Sequence, residues 1–119
     1  MHDNDSIFEQ LVDLGHERLC FHHDEETGLK AIVAIHSTKL GNALGGTRRW
    51  YYESEADAVY DVLRLSKGMT YKAAVSGLPM GGAKSVIMLP KIPSKYAPEP
   101  LGKTKKVEKS HLKSVLKRK

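Results

Sequence analysis

The chain has 119 residues, of which 40% are hydrophobic and 28% charged, a balance typical of a soluble globular domain. No apolar run approaches the roughly 20 residues that a membrane span needs, and the polar, acidic N-terminal stretch MHDNDSIFEQ is unlike a secretory signal. Because the one cysteine, Cys20, cannot form an internal disulfide, we expect a reducing, cytoplasmic environment.

The net charge of +5 is unevenly distributed along the chain. Residues 1–90 contain 9 Lys and Arg against 12 Asp and Glu, a balance of −3, whereas residues 91–119 contain 10 against 2, a balance of +8. Four of the five prolines also fall in the stretch PKIPSKYAPEP that begins this second part. The composition therefore predicts one folded domain over residues 1–90 and a basic tail over residues 91–119, either disordered or forming a short helix.

The N-terminal part predicts a helix followed by a β-hairpin. Ser6 and Glu9 have the spacing of a capping box, apolar residues follow at helical intervals, and Gly15 is predicted to end the helix. Two β-prone runs then flank the polar turn DEETG, and the second run, Ala31–Ile35, is apolar enough for the interior of a sheet. Cys20, in the first run, is expected to be a small core residue.

The middle of the chain predicts a loop, a strand, a long helix and a buried strand. The loop contains LGNALGG, and the stretch TRRWYY after it is β-prone. Ser54 and Asp57 repeat the capping-box spacing before a broad apolar helical face, in which Gly68 predicts either a break or tight packing. The run AKSVIML then reads as a buried strand. The predicted fold class is α/β, with strands paired locally and one long helix crossing them.

Three segments carry residues suited to binding a small anion: LGNALGG, KGMTYK and GGAK. A glycine pair lets a ligand approach backbone N–H groups, and a lysine is a compact cation that suits a carboxylate. Lys84 precedes an apolar run, so we expect burial to lower the pKa of its amine and to make it a base or polarising group near neutral pH. Lys72 and Lys84 together suit a small anionic substrate.

Simpler readings of the same residues stay open. The pair Gly45 and Gly46 is also typical of an ordinary turn, and Lys72 is also typical of a solvated helix position. The histidines do not have the spacing of a metal site, and neither phosphate-loop glycine pattern occurs. We therefore assign no metal ligands.

Taken together, the stretches TGLKAIVAIHSTKLGNALGGTRRW, DVLRLSKGMTYKAAVSGL and GGAKSVIM resemble the Glu/Leu/Phe/Val amino-acid dehydrogenases, most closely the leucine dehydrogenases. The resemblance covers roughly Ser6–Leu89 and is specific, because three separated motifs occur in order and at the spacing of the family. It implies the mixed-sheet N-terminal substrate and dimerisation domain of these enzymes, and it implies a homo-oligomer.

The resemblance also implies roles for individual residues. Lys72, in MTYK, would bind the substrate carboxylate, and Lys84, in GGAK, would be the catalytic lysine that polarises the substrate carbonyl and activates the attacking water. Substrate contacts are implied for four further residues: Leu44, Gly45, Gly46 and Met69. The implied reaction is the oxidative deamination of an apolar L-amino acid to its 2-oxo acid and ammonia, with NAD as the cofactor.

Other parts of the family pattern are missing. The family continues with an aspartate in an EDVGT-like motif and with a nucleotide-binding Rossmann domain, whereas this sequence has no aspartate beyond Asp61 and no dinucleotide fingerprint. We therefore expect a truncated dehydrogenase that is inactive by itself. The alternative is a non-enzymatic remnant whose basic tail binds an acidic partner, such as nucleic acid or an anionic lipid surface.

Overall fold

The computed structural model describes residues 6–90, which form a mixed five-stranded sheet and two helices. The elements in chain order are α1 (Ile7–Leu14), β1 (Arg18–Asp24), β2 (Leu29–Ser37), β3 (Ala43–Leu44), β4 (Thr47–Trp50), α2 (Glu55–Val75) and β5 (Gly81–Met88). The predicted mixed α/β class is therefore confirmed. The predicted basic tail, residues 91–119, lies outside the described residues.

Helix α1 begins and ends where its capping residues predict. The backbone N–H of Glu9 donates to Ser6 Oγ at 3.0 Å. At the other end Gly15 adopts φ 78°, a left-handed conformation, and its N–H donates to the carbonyl oxygen of Leu11 at 2.9 Å. Leu11 and Leu14 pack against the core, so α1 covers part of the sheet.

Strands β1 and β2 form the predicted antiparallel hairpin, with Arg18 opposite Ile35 at its open end. The prediction that Cys20 lies in the core is wrong, because its side chain is exposed. Alternation along β1 explains the difference: Leu19 packs against the core beneath the helices, so its neighbour Cys20 lies on the opposite face of an edge strand.

Strand β5 lies in the middle of the sheet, antiparallel to β2 on one side and parallel to β3 and β4 on the other. The units β4, α2 and β5 form a parallel crossover, in which the helix returns the chain across the sheet. The prediction of locally paired strands therefore holds only for the β1–β2 hairpin, because every partner of β5 is distant in sequence.

Helix α2 runs without interruption from Glu55 to Val75, so the prediction of a break or tight packing at Gly68 is wrong. A Cβ atom built on Gly68 would meet nothing within 4 Å, because this residue lies on the solvent-exposed side of the helix. Burial of the opposite, apolar face outweighs the roughly 1 kcal/mol by which a glycine weakens a helix. The predicted start is confirmed, since the Asp57 N–H donates to Ser54 Oγ at 3.2 Å.

The core lies between α2 and one face of the sheet. It consists of nine buried hydrophobic residues: Ile32, Ala34, Trp50, Tyr52, Ala58, Val59, Val62, Leu63 and Val86. Both helices contribute to this face, whereas the side chains that alternate toward the other face of β2 and β5 stay only partly buried. Neither described helix has the length and apolarity needed to cross a membrane.

A buried carboxylate ties α2 to β4. Asp61 accepts hydrogen bonds from Tyr52 Oη at 2.6 Å, Arg48 Nη1 at 3.0 Å and Arg64 Nη2 at 2.7 Å. Burial, reinforced by the negative charge of Asp61, raises the pKa of Tyr52 well above its usual value, so this hydroxyl stays a donor. The cluster holds the first half of α2 against β4, the strand that directly follows the glycine-rich loop.

Candidate active site

Strands β3 and β4 form one interrupted strand along β5, and the interruption is the predicted glycine pair. Leu44 pairs with Gly82 before the interruption and Thr47 with Ser85 after it. A Cβ atom on Gly45 would overlap the carbonyl oxygen of Ala83, so only glycine fits there without a shift of the backbone. The Gly46 carbonyl oxygen accepts the Ser85 N–H at 3.0 Å, which fixes the loop against β5.

Lys84 lies opposite this interruption and is partly buried. Alternation along β5 places it on the face that Gly82 and Val86 turn toward α2. Its Nζ atom lies 3.5 Å from the position that a Cβ atom on Gly46 would occupy. The structure thus brings the predicted catalytic amine and the predicted glycine loop into contact distance, and any side chain at position 46 would lie against the amine.

Helix α2 meets β5 through direct contact of the two backbones at Gly82. A Cβ atom on Gly82 would overlap the backbone nitrogen and Oγ1 of Thr70, and it would lie 2.5 Å from the carbonyl oxygen of Ser66. Met69 and Lys72 come one residue before and two residues after Thr70 in α2, and their three-residue spacing makes them neighbours on the helix surface. Met69 is partly buried, whereas Lys72 is exposed, as expected for either a ligand-binding or a solvated lysine.

Four of the six predicted site residues, Leu44, Gly45, Gly46 and Lys84, meet at the first half of β5. Met69 and Lys72 lie on α2, within two residues of Thr70, which contacts Gly82. Leu44, with 54% of its surface exposed, offers an apolar side chain to a ligand at the loop. The roles of the six residues in binding and catalysis stay predictions, because the structure gives their placement alone.

Sequence reasoning missed a polar network buried beside this site. Because a carbonyl oxygen only accepts, His36 Nε2–H donates to the Leu14 carbonyl at 2.9 Å, and its Nδ1 accepts the Thr70 hydroxyl at 2.8 Å. The available signal is a histidine directly after the apolar run of β2, which a search for metal-ligand spacing does not detect.

A second histidine extends the network one helical turn along α2. His16 Nε2–H donates to the Leu63 carbonyl at 2.9 Å and lies 2.8 Å from Ser66 Oγ, and its ring lies 4.7 Å from that of His36 in an edge arrangement. Burial, with a smaller contribution from His36, lowers the pKa of His16 to about 4. Its Nδ1 is buried without a hydrogen-bond partner among the described residues. His16 is therefore neutral at physiological pH.

The described residues do not fit a dinucleotide cofactor. The parallel crossover of β4, α2 and β5 is the kind of unit that binds a pyrophosphate at the helix N-terminus, where a glycine-rich turn precedes the helix. Here the first turn of α2 carries Glu55 and Asp57, and the Ser54 hydroxyl already caps the Asp57 N–H. Two carboxylates would repel a pyrophosphate, so we derive no step through NAD.

Comparisons with known proteins agree with this arrangement. The family model of the Glu/Leu/Phe/Val dehydrogenase dimerisation domain matches residues 16–104. A leucine dehydrogenase from Bacillus cereus is 60% identical over 82 residues, which cover 69% of this chain and 22% of that protein. The valine dehydrogenase of Streptomyces virginiae is 57% identical over 74 residues, covering 62% and 21%.

A solved structure shows the same fold. The crystal structure of L-tryptophan dehydrogenase from Nostoc punctiforme matches with a TM-score of 0.70 and 48% identity, over 71% of this chain and 26% of that chain. The chain thus spans about a quarter of the length of the relatives that it matches. Since the family model covers more than half of the chain, the chain belongs to the Glu/Leu/Phe/Val dehydrogenase family.

Proposed function

We propose that residues 6–90 form the substrate side of an amino-acid dehydrogenase site, which binds an apolar L-amino acid or its 2-oxo acid. The observation that carries the proposal is the approach of Lys84 Nζ to within 3.5 Å of the Cβ position of Gly46, which brings the amine against the backbone of the glycine pair. Membership of the dehydrogenase family supports the same reading.

Lys72 and Lys84 have different roles at the proposed site. Lys72 is exposed on α2, where its compact ammonium group is accessible to the substrate carboxylate. Lys84 is partly buried on β5, where as an ammonium it donates a hydrogen bond to the carbonyl oxygen of the 2-oxo acid. As a neutral amine it accepts the proton of the attacking water.

The lining of the site favours an aliphatic or aromatic side chain on the substrate. Leu44 and Met69 offer apolar surface, whereas the second carboxylate of a glutamate would need a further cation. Gly45 and Gly46 leave the backbone accessible beside the amine.

From membership of the family we propose that the complete enzyme catalyses oxidative deamination with NAD as the cofactor. Because residues 6–90 do not fit the dinucleotide, we propose that they bind the substrate and that hydride transfer needs a cofactor site outside them. We also propose a cytoplasmic homo-oligomer, which is supported by the description of the matching family model as a dimerisation domain.

The test is isothermal titration calorimetry of the chain with 4-methyl-2-oxopentanoate, and with 2-oxoglutarate as the dicarboxylate comparison. We expect binding of the first ligand, and a loss of at least about tenfold in affinity, or ~1.4 kcal/mol, in Lys72→Ala. Lys67→Ala is the matched control, because it removes the same charge from the same helix at a lysine whose Nζ lies 5.5 Å from the ring centroid of Tyr71.

Two outcomes would contradict the proposed function. The first is the absence of heat with a parent chain that circular dichroism shows to be folded. The second is an equal loss of affinity in Lys67→Ala and Lys72→Ala, since binding would then depend on the overall charge of α2 rather than on Lys72.

A further inference from the structure

We propose that Thr70 is a positioning residue, whose hydroxyl, bonded to His36, holds α2 at a set depth on β5 and so places Met69 and Lys72 relative to Lys84. The effect of this placement on ligand binding rests on the proposed function. The contact of Thr70 with His36 and Gly82 does not depend on that function.

The contact between α2 and β5 is unusually close at this point. The backbone nitrogen and Oγ1 of Thr70 both lie where a Cβ atom on Gly82 would be, so no side chain separates the helix from the strand. Gly82 is two residues from Lys84 along β5, and Thr70 is two residues from Lys72 along α2. A shift of the helix at Thr70 therefore changes the distance between the two lysines.

His36 is the buried hydrogen-bond partner of the Thr70 hydroxyl at this contact. It is only 8% exposed, and it uses both ring nitrogens, one for the Leu14 carbonyl and one for the Thr70 hydroxyl. Alternation along β2 places His36 on the same face as the core residues Ile32 and Ala34. Its side chain there bridges the end of α1 and the last third of α2.

The Thr70 side chain has an alternative partner that it does not use. In a helix a threonine hydroxyl often bonds a carbonyl of the preceding turn, as the Ser66 hydroxyl does with Val62 at 2.8 Å. Thr70 instead donates to a histidine of another element at 2.8 Å. Its hydroxyl thus acts between elements, where it restrains the helix relative to the sheet. Small displacements of binding groups have large effects on ligand binding and catalysis, so such a restraint matters at this turn.

The experiment compares Thr70→Val, which has nearly the same shape but no hydroxyl, with Thr70→Ser, which keeps the hydroxyl. Tyr52→Phe is the matched control, because it removes another buried hydroxyl that bonds α2, nine residues from Thr70 at Asp61. Each variant of the full chain is measured by calorimetry with 4-methyl-2-oxopentanoate and by hydrogen exchange with mass spectrometry.

We expect Thr70→Val to weaken ligand affinity about tenfold and to speed amide exchange in residues 69–75 while leaving residues 55–62 unchanged. Thr70→Ser should restore both properties. Tyr52→Phe should leave affinity within about twofold of the parent and should not speed exchange selectively in residues 69–75.

The proposal is overturned if Thr70→Val loses no more affinity than Tyr52→Phe, or if its exchange rises uniformly along α2, since the hydroxyl would then contribute only to overall stability. If the parent chain binds no ligand, the proposed function fails but the exchange comparison still decides this inference. Selective opening of residues 69–75 in Thr70→Val supports the positioning contact, and its absence refutes it.

Discussion

Single glycines in the segments LGNALGG and GGAK have different physical roles. A Cβ atom on Gly82 would overlap the backbone of Thr70, whereas one on Gly46 would lie 3.5 Å from the amine of Lys84, at an ordinary contact distance. Gly82 is therefore needed for packing, and Gly46 keeps the surroundings of the amine open. The sequence alone does not separate these roles, because both glycines occur in similar pairs.

Gly82→Ala is expected to destabilise the fold by about 3 kcal/mol, because the new methyl group meets backbone atoms that cannot move independently of the helix. Gly46→Ala is expected to cost less than about 1 kcal/mol, since the new methyl group would lie at an ordinary contact distance from Lys84 Nζ. Urea denaturation of both variants measures the difference. Equal losses of stability would show that Gly46 also serves packing.

His16 is expected to make stability dependent on pH. Its folded-state pKa of about 4 lies below the unfolded value of 6.5, because burial disfavours the charged ring and the facing His36 and Lys67 add to this effect. The unfolded chain therefore binds more protons between these values, and this contribution is complete above pH 6.5 and lost as the pH falls toward 4. Allowing for the partial exposure of His16, the loss is about 1–2 kcal/mol.

The measurement is urea denaturation between pH 7.5 and pH 4.5. His16→Gln, which does not titrate, should reduce the slope of stability against pH, and the same change at the exposed His22 is the matched control for the substitution itself. An unchanged slope in His16→Gln would show that other groups cause the pH dependence.

At the scale of elements, α2 shows how burial overrides a local preference. Gly68 favours a break, but the buried residues on the sheet-facing side hold the helix intact through it. Gly68→Ala is expected to stabilise the chain by about 0.5–1 kcal/mol, because alanine has the higher helix propensity and its methyl group meets no atom within 4 Å. Thermal unfolding measures the effect, and a lowered midpoint would mean that an unrecognised contact occupies this side of α2.

The buried carboxylate of Asp61 joins the first half of α2 to Arg48 of β4. Asp61→Asn is expected to cost about 2–3 kcal/mol, because the hydrogen bonds from Arg48 and Tyr52 lose their charged acceptor. Asp57→Asn, at the start of the same helix, should cost less than about 1 kcal/mol, since it weakens only the interaction with the helix dipole. Chemical denaturation compares the two, and similar losses would argue against a special role for the buried cluster.

At the scale of the whole molecule, the charge division between residues 1–90 and 91–119 makes the alternative function, binding of an acidic partner by the tail, testable. The +8 balance of the tail should give salt-dependent retention on heparin and on anionic lipid vesicles, and deletion of Lys103–Lys119 should abolish it. Retention that survives the deletion would show that the tail is not the binding segment. This prediction concerns residues outside the described part and is independent of the amino-acid site.

Local patterns were sufficient to predict most helices and strands. Short-range contacts form the capping boxes at Ser6 and Ser54 and the hairpin around DEETG. Such contacts depend on residue spacing, which is visible in the sequence. The predictions for Cys20 and Gly68 failed because each depends on which face of an element is covered. That choice is made by packing against distant residues.

The sequence by itself determined the α/β class, the candidate lysines and glycines, and the resemblance to the dehydrogenase family. Only the tertiary structure decided that β5 lies centrally, that the Lys84 amine lies beside Gly46, and that His36 joins α1 to Thr70. The physical reason is the length of chain between the interacting residues. Helix capping and strand alternation depend on residues close in sequence, whereas the parallel crossover brings together residues up to about 40 positions apart at the site.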